Sequence, residues 1–239
     1  MVIYRERVSS LRIFDIENPV WSTLSKLLDV MILNVLFLLC CLPIVTISTS
    51  FTALYYTSMR MVSGNVTYVS KDFFKSFKEN FKQAFVTGVI VFDIGVMLAV
   101  FIYLSFLLDA YVGKVVSIVS ALLVSAAISY TFPALAKFNT TTSKLFYNSF
   151  AMAVLHIPFT ILNLGTFFIA GLAAYMSFGF RLILLVFGCA AIALLQSVWF
   201  NYIFAKYMTK EELEQNQLYR EEERMAKKEK KAKEQKVKR

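Results

Sequence analysis

Long apolar runs separated by short polar segments dominate the chain. A helix of about 20 residues, rising about 1.5 Å per residue, crosses a hydrocarbon core of about 30 Å. The apolar runs therefore predict an all-α membrane protein built as a bundle of six transmembrane helices. The predicted spans lie at about residues 24–42, 44–62, 84–108, 115–136, 151–175 and 182–205.

The second predicted span is the least apolar of the six. It carries a series of hydroxyl side chains: Thr46, Ser48, Thr49, Ser50, Thr52, Thr57 and Ser58. Ser and Thr hydroxyls can bond back to their own helix, and small residues let neighbouring helices approach closely. We therefore expect this span to be buried inside the bundle.

The distribution of Lys and Arg fixes the predicted orientation. With six spans and the N-terminus inside, 23 of the 25 Lys and Arg fall on one side, and only Lys114 and Arg181 fall on the other. This asymmetry satisfies the positive-inside rule and places both termini in the cytoplasm. With five spans, the basic N-terminus and the basic tail would lie on opposite sides. The net charge of +9 thus reflects membrane orientation, and no nucleic-acid partner is predicted.

Polar segments flank the predicted membrane domain, residues 18–205. Residues 1–17 form a cytoplasmic N-terminal segment with no apolar region typical of a cleaved signal peptide. Residues 206–239 form a charged cytoplasmic tail. In the tail, Thr209 and Glu212 have the spacing of a capping box, which predicts a charged C-terminal helix; a disordered tail is the alternative.

Residues 71–85, KDFFKSFKENFKQAF, predict a helix with two distinct faces. Phenylalanines recur at helical spacing on one face, and lysines recur on another. The residues concerned are Phe73 or Phe74, Phe77, Phe81 and Phe85, and Lys71, Lys75, Lys78 and Lys82. We expect this amphipathic helix to lie flat on the cytoplasmic membrane surface. It then either anchors the loop to anionic lipid or binds a cytoplasmic partner.

A related pattern recurs later in the chain. The motif from Ser48 to Leu54 matches the stretch from Ser129 to Leu135, at an offset of 81 residues. The start of the amphipathic helix, residues 70–77, matches residues 143–150 at an offset of 73, with fewer lysines. Both copies occur where a predicted outside-to-inside span ends and a predicted cytoplasmic surface segment begins. We interpret them as a duplication of span, surface helix and span, as found in many transporters.

Three polar residues within the predicted spans are candidates for an intramembrane site: Asp93, His156 and Asn34. Burying an ionised Asp near a helix centre costs on the order of 3 kcal/mol, so Asp93 should face the bundle or be protonated. It is either a proton or cation site or an interhelical hydrogen-bonding group. His156, Asn34, Asn163, Gln196 and Asn201 are expected to bond between helices.

Catalytic signatures are missing from the sequence. The motifs typical of P-loop ATPases, zinc proteases and serine hydrolases do not occur. Cys40, Cys41 and Cys189 lie in apolar segments without metal-ligand spacing. We predict no catalytic residue, no metal and no cofactor, and hence a protein that is not an enzyme. An intramembrane enzyme using His156 and Asp93 is the least favoured hypothesis.

The sequence resembles the YesL family of bacterial integral membrane proteins, a domain of unknown function. The resemblance rests on Asn18-Pro19-x-Trp21, Asp29, Asn34, Leu42 to Ile47, Thr52 to Tyr56, and Phe73 to Gln83. It is specific over residues 18–85, and the charged tail is less typical.

Genes of this family often lie beside carbohydrate ABC transporters and two-component regulators in Gram-positive bacteria. The resemblance thus implies an accessory or regulatory protein of carbohydrate uptake in the bacterial cell membrane. The expected partners are anionic lipid headgroups and an ABC transporter or signalling protein. The alternative is a small-solute transporter that uses the duplicated bundle. The oligomeric state is left open.

Overall fold

The computed structural model describes residues 19–65, 68–138 and 140–208, and every regular element within these ranges is helical. The α-helices are α1 (Pro19–Cys41), α2 (Ile47–Val62), α3 (Val69–Leu107), α4 (Tyr111–Lys137), α5 (Thr142–Leu155), α6 (Ile157–Met176), α7 (Phe178–Ile183) and α8 (Cys189–Tyr207). The predicted segment 1–17 and the predicted C-terminal helix lie outside the described residues.

Four helical stretches are long and apolar enough to cross a membrane. They are α3, α4, α6 and Val186–Tyr207. An all-helical protein with several membrane-crossing helices was predicted, and this class is confirmed. The six-span count stays a prediction, since α2 has 16 residues and would reach only about 24 Å.

The connection between α1 and α2 is tight and begins where Pro43 follows the end of α1. A 3-10 turn at Ile44–Thr46 leads directly into α2. The Thr46 hydroxyl lies 2.6 Å from the carbonyl oxygen of Cys40 and 2.8 Å from that of Pro43. These contacts satisfy carbonyl groups that the end of α1 leaves without helical partners.

Helix α2 is the centre of the bundle and packs against α1, α3, α4 and α8. Its buried residues are Ser48, Thr49, Ser50, Thr52, Ala53, Leu54, Tyr55, Thr57, Ser58 and Met59. The predicted burial of this polar helix is therefore confirmed. Three hydroxyls donate to carbonyl groups four residues back, those of Ser50, Thr52 and Thr57. This back-bonding explains how a polar helix occupies a membrane-protein core.

Helix α3 corrects the predicted surface helix. We expected a helix lying flat over residues 71–85 and a separate span from residue 84. The structure instead has one helix of 39 residues, Val69–Leu107. No Pro interrupts it, and the α-helix runs on through residue 84, where we expected a turn between two helices. The lysine-bearing half is therefore a direct extension of the apolar half.

Gly88 lets α2 and α3 approach closely at the middle of α3. A methyl group at Gly88 would lie 2.5 Å from Ser48 Cβ. Any larger side chain here would push the two helices apart, because real Cβ atoms do not approach other carbon atoms so closely.

The second half of the bundle contains a break that corrects the predicted fifth span. We expected one span over 151–175, but α5 ends at Leu155 and α6 begins at Ile157. Pro158 stands in the first turn of α6. Its ring removes an N–H donor and would clash with the carbonyl of Val154 in a continuous helix. The backbone therefore departs from helical geometry at His156, where ψ is 47°.

The predicted sixth span, 182–205, is composed of three pieces. Helix α7 is followed by a π-helical segment, Leu184–Gly188, and this segment continues into α8. Short π segments widen a helix by one residue and are common at functional sites.

The burial pattern agrees with the proposed duplication. Ser76 and Ser149, which occupy equivalent positions at the offset of 73, are both completely buried. The equivalent residues Phe51 and Phe132 stack on each other, with ring centroids 5.9 Å apart. The two copies therefore meet through the same motif where α2 contacts α4. We call α2 with α3 unit one, and α4 with α5 and α6 unit two.

Candidate functional site

A network of buried polar side chains ties four helices together. The Tyr55 hydroxyl of α2 donates to Gln196 Oε1 of α8 at 2.5 Å. Gln196 Nε2 donates to the Thr166 hydroxyl of α6 at 2.7 Å, and Asn163 Nδ2 donates to the Ser129 hydroxyl of α4 at 3.0 Å. In lipid such bonds hold helices together because the alternative is an unpaired polar group in hydrocarbon. The bonds predicted for Asn163 and Gln196 are confirmed.

A second polar contact supports the break between α5 and α6. Thr160 Oγ1 lies 2.8 Å from the carbonyl oxygen of Ala153 and 3.1 Å from the hydroxyl of Tyr130 in α4. The break leaves carbonyl groups at the end of α5 without helical donors, and the Thr160 hydroxyl serves one of them. Helix α4 therefore helps to stabilise the bend between α5 and α6 within unit two.

Asn34 pairs with the helix that follows the π segment. Its side-chain oxygen accepts a hydrogen bond from the Ala190 backbone N–H at 3.1 Å. A π segment shifts the helical hydrogen-bonding pattern and leaves a backbone N–H to be satisfied elsewhere. Asn34, completely buried, thus joins α1 to α8. The predicted interhelical bond of Asn201 is also confirmed, since its amide donates to the Met59 carbonyl at 3.0 Å.

His156 lies at the joint between α5 and α6. Its Nε2 is 2.9 Å from the hydroxyl of Tyr207 at the end of α8, which confirms an interhelical bond. Partial burial of the imidazole, together with the charge of nearby Lys206, lowers the pKa of His156. The neutral ring is therefore favoured, and it can either donate to or accept from Tyr207.

Asp93 does not face the bundle, which leaves protonation as the remaining alternative of our expectation. The residue is exposed on α3, among exposed apolar neighbours such as Val89 and Val96. The reason is helical phase: the face of α3 that carries Thr87 and Ala84 packs on α2, and Asp93 lies away from it. Within the described ranges, neither a hydrogen bond nor an ion pair joins Asp93 to His156. The structure therefore does not bring the three candidate residues Asp93, His156 and Asn34 into one site.

The phenylalanines of α3 are not equivalent. Phe73 is completely buried, Phe77 is half-buried, and Phe81 is 39% exposed. Because each i, i+4 step exceeds a full turn of 3.6 residues, the row moves gradually around the helix. We predicted that the whole row would enter the lipid boundary. This was wrong for Phe73, which packs in the protein core.

The lysines of α3 are all exposed and lie opposite its buried face. At 3.6 residues per turn they share one narrow arc with exposed residues farther along the helix. We call this arc the outward stripe; it comprises Lys71, Lys75, Lys78, Lys82, Val89, Asp93, Val96 and Val100. The stripe combines four positive charges on the first half of α3 with one carboxylate on its apolar half.

Two features of the inner end were not predicted. Arg60 of α2 pairs with Asp72 of α3, with Nε and Oδ2 3.4 Å apart. Asp72 stands in the first turn of α3, where a negative charge also suits the helix dipole. Tyr55 was overlooked as the link to Gln196, although a tyrosine within a run of small hydroxyl residues is a recognisable signal.

Metal binding finds no support in the described ranges, where no group of three or more His, Cys, Asp or Glu side chains could hold an ion.

The fold and its apolar helices define a multi-pass integral membrane protein. A family model described as a protein of unknown function, DUF624, matches residues 30–102. The match covers about the second half of α1, all of α2 and most of α3. The matched residues make up less than half of the chain. The chain is thus similar to a family whose molecular activity is unknown. No curated protein and no solved structure matches it.

Proposed function

We propose that the protein is an accessory or regulatory membrane protein that binds a partner protein through the outward stripe of α3. The observation that carries this proposal is the row of four exposed lysines on a helix that continues directly from an apolar stretch. The proposed setting is a six-span bundle in the bacterial plasma membrane, with both termini inside.

The length of α3 supports a protruding surface. A helix of 39 residues extends about 58 Å, whereas the hydrocarbon core is about 30 Å thick. About half of α3 therefore lies beyond the core if the helix stands steeply. The four lysines occupy this half, and the opposite face packs on α2. A surface held this firmly loses little conformational entropy on binding, which favours affinity.

The charge of the stripe indicates the chemistry of the partner. The lysines suit an acidic cytoplasmic segment, and an exposed carboxylate in an apolar setting suits a hydrogen-bond donor or a cation on a neighbouring transmembrane helix. A second copy of this chain, related by an axis along the membrane normal, would place lysine against lysine and Asp93 against Asp93. Like charges in register oppose such a dimer, so we favour a different protein.

The link to carbohydrate uptake is the more specific part of the proposal. It rests on the resemblance to the YesL family, and the family match adds only a domain of unknown function. On this basis the partner is a component of a carbohydrate ABC transporter or of its signalling system.

Site-specific photo-crosslinking in living cells tests the proposal. A benzophenone amino acid is placed at Lys75 or Lys78 on the stripe, or at Asp93 in its apolar half. Exposed Tyr147 of α5 and Tyr175 at the end of α6 serve as control positions. We expect a discrete protein adduct from the stripe positions and none from the controls, with mass spectrometry identifying a transporter or signalling component.

Two results would count against the proposal. Adducts with lipid alone would mean that the lysines only contact anionic headgroups. A protein adduct without any transporter or signalling component would remove the carbohydrate link.

The transporter alternative gains no specific support, since both ends of the core amide of Gln196 bond to other protein groups. Solute flux in proteoliposomes that is sensitive to Asp93→Asn would favour it.

A further inference from the structure

A groove of about 540 Å³ lies at the inner end of α1, away from the outward stripe. It is bounded by α1, by the end of α2 with the connection into α3, and by α8. Lys26, Asp29, Tyr68 and Ser70 provide its polar lining, and residues such as Ile32 and Leu194 provide its apolar lining. We call it the inner groove.

The two charged residues of the inner groove are available for a ligand. Lys26 and Asp29 make no hydrogen bond and no ion pair within the described ranges. They are three positions apart on α1 and line the same opening. Asp29 is partly shielded, whereas Lys26 is exposed. A positive and a negative group thus line one opening, each without a partner among the residues that the structure describes.

The apolar part of the groove extends the site away from these charges. Ile32 lies three residues, just under one turn, beyond Asp29 on α1, and Leu194 belongs to a stretch of α8 that is apolar enough to cross the membrane. The groove therefore has a zwitterionic mouth at the predicted inner membrane surface and an apolar wall that leads into the bilayer. A lipid has the same division into a charged headgroup and an acyl chain.

We infer that the inner groove binds a phospholipid with a primary ammonium headgroup. The ammonium donates to the Asp29 carboxylate, the phosphate accepts from Lys26, and an acyl chain lies along Ile32 and Leu194. A purely anionic headgroup would face the unpaired Asp29 carboxylate. A quaternary ammonium group carries no N–H to donate to it. The site therefore selects a primary ammonium over both.

Native mass spectrometry of the full-length protein in mild detergent tests this inference. The lipids compared are phosphatidylethanolamine, its mono- and dimethylated forms, phosphatidylcholine and phosphatidylglycerol. We expect phosphatidylethanolamine to bind about tenfold more tightly than phosphatidylcholine, which corresponds to one charge-assisted hydrogen bond. Affinity should decrease with each added methyl group. Equal binding of all five lipids would overturn the inference, and this comparison requires only the wild-type protein.

Charge-neutralising variants locate the site. Asp29→Asn should reduce phosphatidylethanolamine binding to the level of phosphatidylcholine, and Lys26→Gln should weaken both lipids. Asp109→Asn and Lys114→Gln are matched controls. Each neutralises one member of the ion pair at the connection from α3 to α4, away from the inner groove. A headgroup preference that survives Asp29→Asn would contradict the assignment.

A soluble competitor distinguishes a lipid from a free zwitterion. Glycerophosphoethanolamine carries the same headgroup without acyl chains. We expect it not to displace the lipid at equal concentration, since it forgoes burial along the apolar wall. Displacement at equal concentration would assign the groove to a soluble ligand and overturn the lipid inference.

Discussion

Units one and two have similar sequence motifs but differ in the path of the chain beyond them. In unit one, α3 continues from Val69 to Leu107 without interruption. In unit two, the equivalent stretch is divided at His156 into α5 and α6. At the offset of 73 residues, Pro158 stands where unit one has Phe85. One residue thus decides whether the same pattern yields a long protruding helix or two shorter helices joined at a bend.

The inner turns of the two units are also stabilised differently. In unit one, Asp72 pairs with Arg60 across the turn. In unit two, the equivalent position is Leu145, which is buried and apolar. Unit one combines charge pairing with a straight helix and four exposed lysines, whereas unit two relies on apolar packing. The two units therefore differ in the interactions that hold their turns.

The largest expected effect comes from making unit one resemble unit two. Phe85→Pro should break α3 and cost about 3 kcal/mol or more, since proline in a helix interior removes a hydrogen bond and clashes with the preceding turn. The free energy of unfolding in detergent is measured against that of Phe85→Ala, which removes the same partly exposed ring. Equal stability of the two variants would contradict a continuous α3.

A smaller effect is expected at the close contact between α2 and α3 of unit one. Gly88→Ala should destabilise the protein by about 1–3 kcal/mol, because the added methyl group forces α2 away from α3. Gly95→Ala is the matched control, as a methyl group there meets no atom within 4 Å. Gly88→Ala should therefore unfold at a clearly lower temperature than Gly95→Ala. The same unfolding temperature for both would show that α2 and α3 are not in tight contact.

Breaking the polar network at Tyr55 should lower the free energy of unfolding by less than the two changes above. Tyr55→Phe removes the hydroxyl that donates to Gln196 and leaves a buried acceptor unpaired, at a cost of about 1 kcal/mol. The exposed Tyr202 provides the control, and Tyr202→Phe should have little effect on unfolding. A loss as small as that of the control would mean that the hydroxyl is not essential for joining α2 to α8.

The joint of unit two should show a small pH dependence. Because the pKa of His156 is lowered in the folded protein from its usual 6.5, the unfolded state binds more protons just below that pH. Stability should therefore decrease as the pH falls through about 6.5 and below. Unfolding temperatures at about pH 8 and about pH 5 test this. The part of this difference in unfolding temperature that His156 causes should disappear in His156→Gln. A difference that is undiminished in this variant would show that His156 is not its source.

Several features could be predicted because they depend on composition and local spacing. The burial of α2 follows from its Ser and Thr residues, and the bonds of Asn34, Asn163, Gln196 and Asn201 follow from placing amides in an apolar bundle. The four exposed lysines follow from helical spacing alone.

The remaining features depend on packing that the spacing does not determine. Nothing local separates the amphipathic half of α3 from its apolar half, so a bend at residue 84 was assumed where the helix continues. For Asp93, the choice between facing the bundle and being protonated was left open because the phase of α3 relative to α2 could not be read from the sequence. Phe73 lies in the core because α2 packs on that face of α3. An i, i+4 pattern does not specify which face of a helix contacts a neighbouring helix.

The continuity of α3 is the central structural claim, and one distance tests it directly. Spin labels are attached at Lys71→Cys and Leu107→Cys, both exposed positions, in a variant whose three native cysteines are replaced by alanine. Double electron–electron resonance in lipid nanodiscs should give a distance of about 54 Å for a straight helix. A surface helix turned at right angles to its span near residue 84 would give about 40 Å, and that result would contradict a continuous, protruding α3.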